Sequence, residues 1–191
     1  MARRITGEFG ARGKRGGEAI GNRLSELADR GGLKGFHARV SYLTKSAAGQ
    51  AAMIAAGIDL NNKSTQRTVL KWLGDQEAAT TAAYRKKVDQ AYEQFRRRNI
   101  ASSLKKRLNN NGRGTRIEVH PITQAGVKPS HKRDLEVRKI NVRPSQWDTL
   151  VDQWAADDTA GMNQTWDAIA EDSLGSDWGA YSEVSAIGFG A

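Results

Sequence analysis

The sequence predicts a mainly α-helical protein: a helix-turn-helix region with a long basic helix, followed by a small α+β C-terminal unit of order β-β-α-α-β. Three observations carry that prediction. Between Phe36 and Leu108, apolar residues recur at three- and four-residue spacing, the period of a helix with one buried face. After Gly114 this gives way to β-branched runs, RIEVHPI and LEVRKINV. Charge also divides the chain. Residues 144–191 contain no Lys or Arg and nine Asp or Glu, so residues 1–143 hold all 30 basic residues and the other 12 acidic ones, a net of +18 in a chain of +9.

The elements follow in order. Residues 1–17 are Gly-rich, with five Lys or Arg against Glu8, and read as a flexible arm that can lie along phosphates. In EAIGNRLSELADRGG, Ile20, Leu24 and Leu27 share one helical face, and Gly31 and Gly32 stop the helix. GFHARVSYLTKS places Phe36, Val40 and Leu43 on one stripe. AAGQAAMIAAGI is rich in alanine, the best helix former, and Gly57 suits its end. DLNN is turn chemistry. Ser64 or Thr65 then caps a helix whose inward face is Val69, Trp72 and Leu73. Three short helices in this order are the layout of a helix-turn-helix domain.

From Glu77 the sequence stays helical to Leu108. Tyr84, Val88, Ala91 and Phe95 form one stripe; Ile100, Leu104 and Leu108 form another, displaced by one position. The slip near Arg96 to Asn99 predicts a kink or two helices, and NNNGRG ends the stretch. Beyond the two strands, Pro144 opens a helix bearing Trp147, Leu150, Val151 and Trp154. MNQTWDAIAEDSL is a second helix, capped by Asn163 and presenting Trp166 and Ile169, and EVSAIGF is a closing strand. The expected divisions are a basic arm with a short helix over 1–34, the DNA-binding region over 35–110, and an acidic α+β unit over 115–191 for partner binding or dimerisation.

Several function classes are excluded. The absence of cysteine removes disulfides, thiolate zinc sites and cysteine nucleophiles. No stretch approaches the roughly 20 apolar residues of a membrane span. The basic start is not followed by an apolar run, so it is not a secretory signal, and a cytoplasmic protein is expected. His37, His120 and His131 lack metal spacing, and no GxxxxGK[ST] phosphate loop occurs. Asp157-Asp158 and Glu171-Asp172 read as charged surface at helix ends. No metal, no cofactor and no self-sufficient enzyme are expected.

A basic chain of this kind points to nucleic acid. In KSTQRTVLKWL, Thr65, Gln66, Arg67, Thr68 and Lys71 are the expected outward residues. Gln can pair with adenine N6/N7 and Arg with guanine O6/N7, each contact discriminating by about 1–3 kcal/mol. Trp72 anchors the helix. Arg85, Lys86, Lys87, Arg96, Arg97, Arg98, Lys105, Lys106 and Arg107 decorate the long helical stretch, where they position the protein on phosphates without reading sequence. The bland alternatives are a packing helix with a polar face and a solvated basic surface. One departure is the IDLNNKS loop, longer than the 3–4-residue turn of compact examples. Core packing accounts for most of the tryptophans of the tail, an acidic module that can also dock a partner protein.

HARVSYLTKS, AAGQAAMIAAGI, STQRTVLKWL and the long basic stretch, followed by a strand, a Pro-bearing loop, the strand EVRKINVRPSQW, a helix and a closing strand, resemble the telomere terminal proteins of actinomycete linear chromosomes and plasmids. The resemblance covers approximately residues 36–189. Its strongest piece is QRTV with Tyr42 and Leu43 upstream; the IDLNNKS loop and the arm before residue 35 depart from it. It implies a protein that primes or protects the ends of a linear replicon. A Ser or Thr oxygen attacks the α-phosphate of a deoxynucleotide, a DNA polymerase holds the metal ions, and the protein stays attached to the 5′ end. By the family pattern the hydroxyl lies in the loop before EVRKINV. Ser130, among Lys128, Lys132 and Arg133, is the nearest candidate, with Thr123 and Thr115 behind it, although the family tends to use Thr. A plain loop serine is the alternative. The implied partners are DNA, a DNA polymerase or telomere-binding replication protein, and a second copy. Apart from the resemblance, a helix-turn-helix transcriptional regulator or plasmid-maintenance protein at an internal site, or an architectural protein held by charge, fits the same features.

Overall fold

The computed structural model describes residues 13–29, 31–121, 137–174 and 183–190. Among these the order is β1 (Lys14–Arg15), α1 (Gly16–Asp29), α2 (Phe36–Thr44), α3 (Ala47–Ala55), α4 (Lys63–Gly74), α5 (Ala82–Asn109), β2 (Thr115–Pro121), β3 (Arg138–Val142), α6 (Pro144–Ala155), α7 (Thr159–Leu174) and β4 (Glu183–Gly190). The protein is thus mainly helical, with one small antiparallel sheet. No helix of the described residues is long and apolar enough to cross a membrane. Packing divides the chain into two units, Gly31–Ile100 and Met1–Arg30 together with Ala101–Ala191.

In Gly31–Ile100 the predicted stripes meet. Val40 and Leu43 of α2, Met53 of α3, Val69 and Trp72 of α4, and Val88, Ala91 and Tyr92 of α5 form one buried cluster. Ser46 caps α3 by accepting from the Gly49 amide at 3.1 Å, satisfying one of the donors that a helix start leaves free. The connection from α3 to α4 is residues 56–62, and it is held in place: Ile58 is buried in the cluster, and its amide donates to the Met53 carbonyl at 3.0 Å.

The other unit contains the expected β-β-α-α-β succession, with two additions. Its sheet has the order β1-β4-β2-β3, and every described pairing is antiparallel. Ile117 and Val119 face inward on β2, opposite Ile140 on β3 and Ile187 and Phe189 on β4. Trp147 is fully buried, packs edge-on to Phe189 at 5.0 Å and donates its indole N–H to the Thr115 carbonyl at 3.1 Å. The tryptophans Trp147, Trp154 and Trp166 are core residues, and Trp178 lies outside the described residues.

The additions are β1 and α1, which the sequence groups with an N-terminal arm. Lys14 and Arg15 pair with Val184 and Glu183, and α1 lies against α7. Gly16 and Gly17 make the close approach feasible. A Cβ on Gly17 would overlap the backbone carbonyl of Met162, and one on Gly16 would overlap the Trp166 indole. Asn163 is not the cap of its own helix, because α7 already begins at Thr159, with Asp158 accepting from the Gly161 amide at 2.8 Å. Its Oδ1 instead accepts from the Glu18 amide at 3.0 Å, so it caps α1 from a neighbouring helix.

Two further expectations are corrected. The stretch from Ala82 to Asn109 is one helix, without the break foreseen near Arg96. The slip of its apolar stripe has a different cause: Val88, Ala91, Tyr92 and Phe95 belong to the core of Gly31–Ile100, whereas Ala101, Leu104 and Leu108 are buried in the other unit. The acidic tail is also not set apart from the basic residues. Asp152 pairs with Lys105 at 2.7 Å, Asp172 with Arg143 at 2.9 Å, and Asp167 with Arg15.

Candidate nucleic-acid interface

Folding redistributes the charge read along the chain. Gly31–Ile100 carries 12 Lys or Arg against 5 Asp or Glu, a net of +7 out of the +9 for the whole protein. The other unit, which contains both the basic N-terminal residues and the acidic tail, is close to neutral at +2. By formal charge the helical unit, to which α4 belongs, is the more cationic of the two.

Local chemistry sets the position of α4. Asn62, and not Ser64 or Thr65, is the N-cap; its Oδ1 accepts from the Ser64 and Thr65 amides at 2.8 and 3.3 Å. Val69 and Trp72 are buried beneath the helix. The Trp72 ring meets Phe36 edge-on at 5.2 Å and Tyr84 at 5.1 Å, and the Trp72 carbonyl lies 2.7 Å from His37 Nδ1. Such aromatic pairs add about 0.5–1.5 kcal/mol each beyond area burial, so the helix is clamped on its inner side. Lys63, Ser64, Gln66, Arg67, Leu70 and Lys71 are exposed on the other.

Of the residues expected to face outward on this helix, Gln66, Arg67 and Lys71 do so. The Gln66 amide nitrogen also donates to the Leu60 carbonyl at 2.8 Å, which holds the side chain in one orientation. Thr65 and Thr68 do not join the outward face. Both are half-buried, and the Thr68 hydroxyl donates back to the Ser64 carbonyl at 3.0 Å. The reason is phase: with about 100° between successive helix residues, Thr65 falls between Val69 and Trp72 on the buried stripe, and Thr68 falls on its flank.

The same geometry sorts the cations of α5. Arg85, Lys86 and Arg98 are exposed, and Arg97 is half-buried. Arg96 is 8% exposed, with its guanidinium 5.9 Å above the Tyr92 ring, so it is a packing residue and not a phosphate contact. Three consecutive cations on a helix span about 200° and cannot share one face. Lys87 is also occupied, donating to the Gly57 carbonyl at 2.8 Å. Lys106 and Arg107, exposed near the end of α5, lie in the other unit.

Of the three candidate attachment hydroxyls, Ser130 and Thr123 lie outside the described residues. Thr115 is not available. It is 2% exposed, and its hydroxyl donates to the Leu108 carbonyl at 2.8 Å. The turn that ends α5 brings it there: Asn110, Asn111, Gly112 and Gly114 all have positive φ, and a Cβ at Gly114 would strike the Val142 carbonyl. Thr115 thereby satisfies a helix-end carbonyl that would otherwise be unpaired.

Among the described residues, no group of three or more His, Asp or Glu side chains converges to hold a metal ion. The sequence reading missed Asn62 as the cap, and Lys63 and Leu70 on the outward face. The signal for Leu70 was present, since it falls off the spacing that links Val69, Trp72 and Leu73. No protein-family model, curated protein or solved structure matches the chain.

Proposed function

We propose that this is a cytoplasmic DNA-binding protein that reads duplex DNA with α4, and that it acts as a terminal-protein-like factor at the ends of a linear replicon, which it primes or protects. The observation that carries the proposal is the outward face of α4. Gln66, Arg67 and Lys71 stand together on a helix anchored from behind by Trp72, in the unit that holds +7 of the net charge. Gln and Arg offer the bidentate geometry for adenine and guanine edges, Lys71 supplies a phosphate partner, and Arg85, Lys86 and Arg98 supply others. The largely neutral unit around the sheet serves as the docking surface for a DNA polymerase or replication partner, or for a second copy.

Selection from a random duplex library tests the DNA reading. The wild-type chain enriches a preferred sequence, and the Gln66→Ala/Arg67→Ala variant binds more weakly without that preference; a variant with the same preference refutes the reading. Incubation with a polymerase and labelled deoxynucleotide tests priming, in which the Ser130 oxygen bonds to the α-phosphate and pyrophosphate leaves. Label is expected on the wild-type chain and absent from Ser130→Ala. The second reading, a regulator or plasmid-maintenance protein at an internal site, is favoured by the burial of Thr115, which removes one candidate hydroxyl. It predicts sequence-specific binding with no label under any condition.

A further inference from the structure

The outward face of α4 contains one residue that does not belong with the others. Leu70 is 66% exposed, more than Leu33, Ile54 or Val137, the other large apolar side chains at the surface of the described residues. It lies about 200° around the helix from Trp72 and so contributes nothing to the buried cluster. Its neighbours one turn back are Gln66 and Arg67, and Lys71 follows it. A leucine so placed gains little burial in the protein. Its surroundings are cationic and hydrogen-bonding, which disfavours an apolar protein surface as the occupant and favours a polyanion that itself presents an apolar group. The major groove presents such a group, the C5 methyl of thymine.

We infer that Leu70 is a specificity-determining residue that packs against a thymine methyl next to the bases met by Gln66 and Arg67. The inference rests on the DNA reading proposed above and deepens it. Residues three or four positions apart on a helix have Cβ atoms about 5–6 Å apart, and bases along one strand rise by about 3.4 Å. The thymine therefore lies one or two base pairs from the purine read by Arg67.

The experiment uses the full chain and its selected duplex. Each thymine is replaced in turn by deoxyuridine, which lacks only the methyl group. At one position the wild-type chain is expected to lose affinity about fourfold, the equivalent of one buried methyl, with smaller changes elsewhere. Leu70→Ala is expected to bind the thymine and uracil duplexes within about twofold of each other, and Leu70→Met, which retains an apolar tip, to restore the difference. Because Leu70 is exposed, both variants should melt with the wild type. If the wild-type chain binds selectively but tolerates uracil everywhere, or if Leu70→Ala keeps the discrimination, this inference fails while the DNA reading stands. If Leu70→Ala changes the sedimenting mass without changing the thymine-to-uracil ratio, Leu70 is a protein-docking residue and the inference fails. If no duplex is bound selectively, the DNA reading fails and takes this inference with it.

Discussion

Helix α1 should be unseated by a single methyl group. Replacing Gly17 with Ala places a Cβ against the Met162 carbonyl and the Asn163 amide nitrogen, both backbone atoms of α7 that cannot rotate aside. Overpacking of this kind costs about 1–3 kcal/mol. Removing the cap from the other side, with Asn163→Ala, leaves the Glu18 amide without its 3.0 Å partner and costs about 1 kcal/mol. The unit has about 120 residues. With an unfolding entropy near 2.1 cal/mol/K per residue, each kcal/mol lowers its melting temperature by about 4 °C. Gly17→Ala is therefore expected to melt about 4–12 °C lower and Asn163→Ala about 4 °C lower. The double variant should lose less than the sum, because both changes act on one junction. Calorimetry is the assay, with the wild-type chain as the reference. Melting of Gly17→Ala and Asn163→Ala together with the wild type would show that α1 is not docked on α7.

Arg96→Ala and Arg98→Ala should behave oppositely. Arg96→Ala is expected to destabilise the helical unit by about 1–3 kcal/mol in urea titration, whereas Arg98→Ala leaves the urea midpoint unchanged and reduces the slope of log affinity for DNA against log salt by about 0.9; a change of that slope from Arg96→Ala with unaltered stability would reverse the assignment. At the start of α4, Asn62→Ala should cost about 1 kcal/mol and speed amide exchange at Ser64 and Thr65, while Ser64→Ala should do neither, and the opposite ranking would make Ser64 the cap.

Much of the architecture is legible locally. The stripes Val40 with Leu43, Val69 with Trp72, and Val88 with Phe95 all point into the core. The strands around Ile117, Ile140 and Ile187 lie close to where the β-branched runs place them. The outward placement of Gln66, Arg67 and Lys71 follows from the same periodicity. The residue type leaves the side of Thr65 and Thr68 open, because a hydroxyl residue is equally compatible with a covered and an exposed helix face. The burial of Arg96 is not legible locally, because a run of cations conceals which member the helix turns inward. Thr115 looked like a loop hydroxyl because its acceptor, the Leu108 carbonyl, is reached only through a turn of four left-handed residues.

By itself the sequence determined where the helices and the longer strands lie, apart from β1 and the non-helical residues 75–81 before α5, which side of each is apolar, and that the protein carries a cationic excess suited to a polyanion. Those properties are written in spacings of two to four residues. Only the tertiary structure decided that α1 joins the sheet unit, that the acidic tail is partly neutralised by Lys105, Arg15 and Arg143, and that the excess charge collects on Gly31–Ile100. The physical reason is that an apolar face lowers its free energy against any apolar partner, so periodicity leaves the partner open. The choice is made by shape and hydrogen bonding across long chain separations. Here that means two glycines narrow enough to meet α7 and an asparagine, 145 residues beyond Glu18, that caps α1.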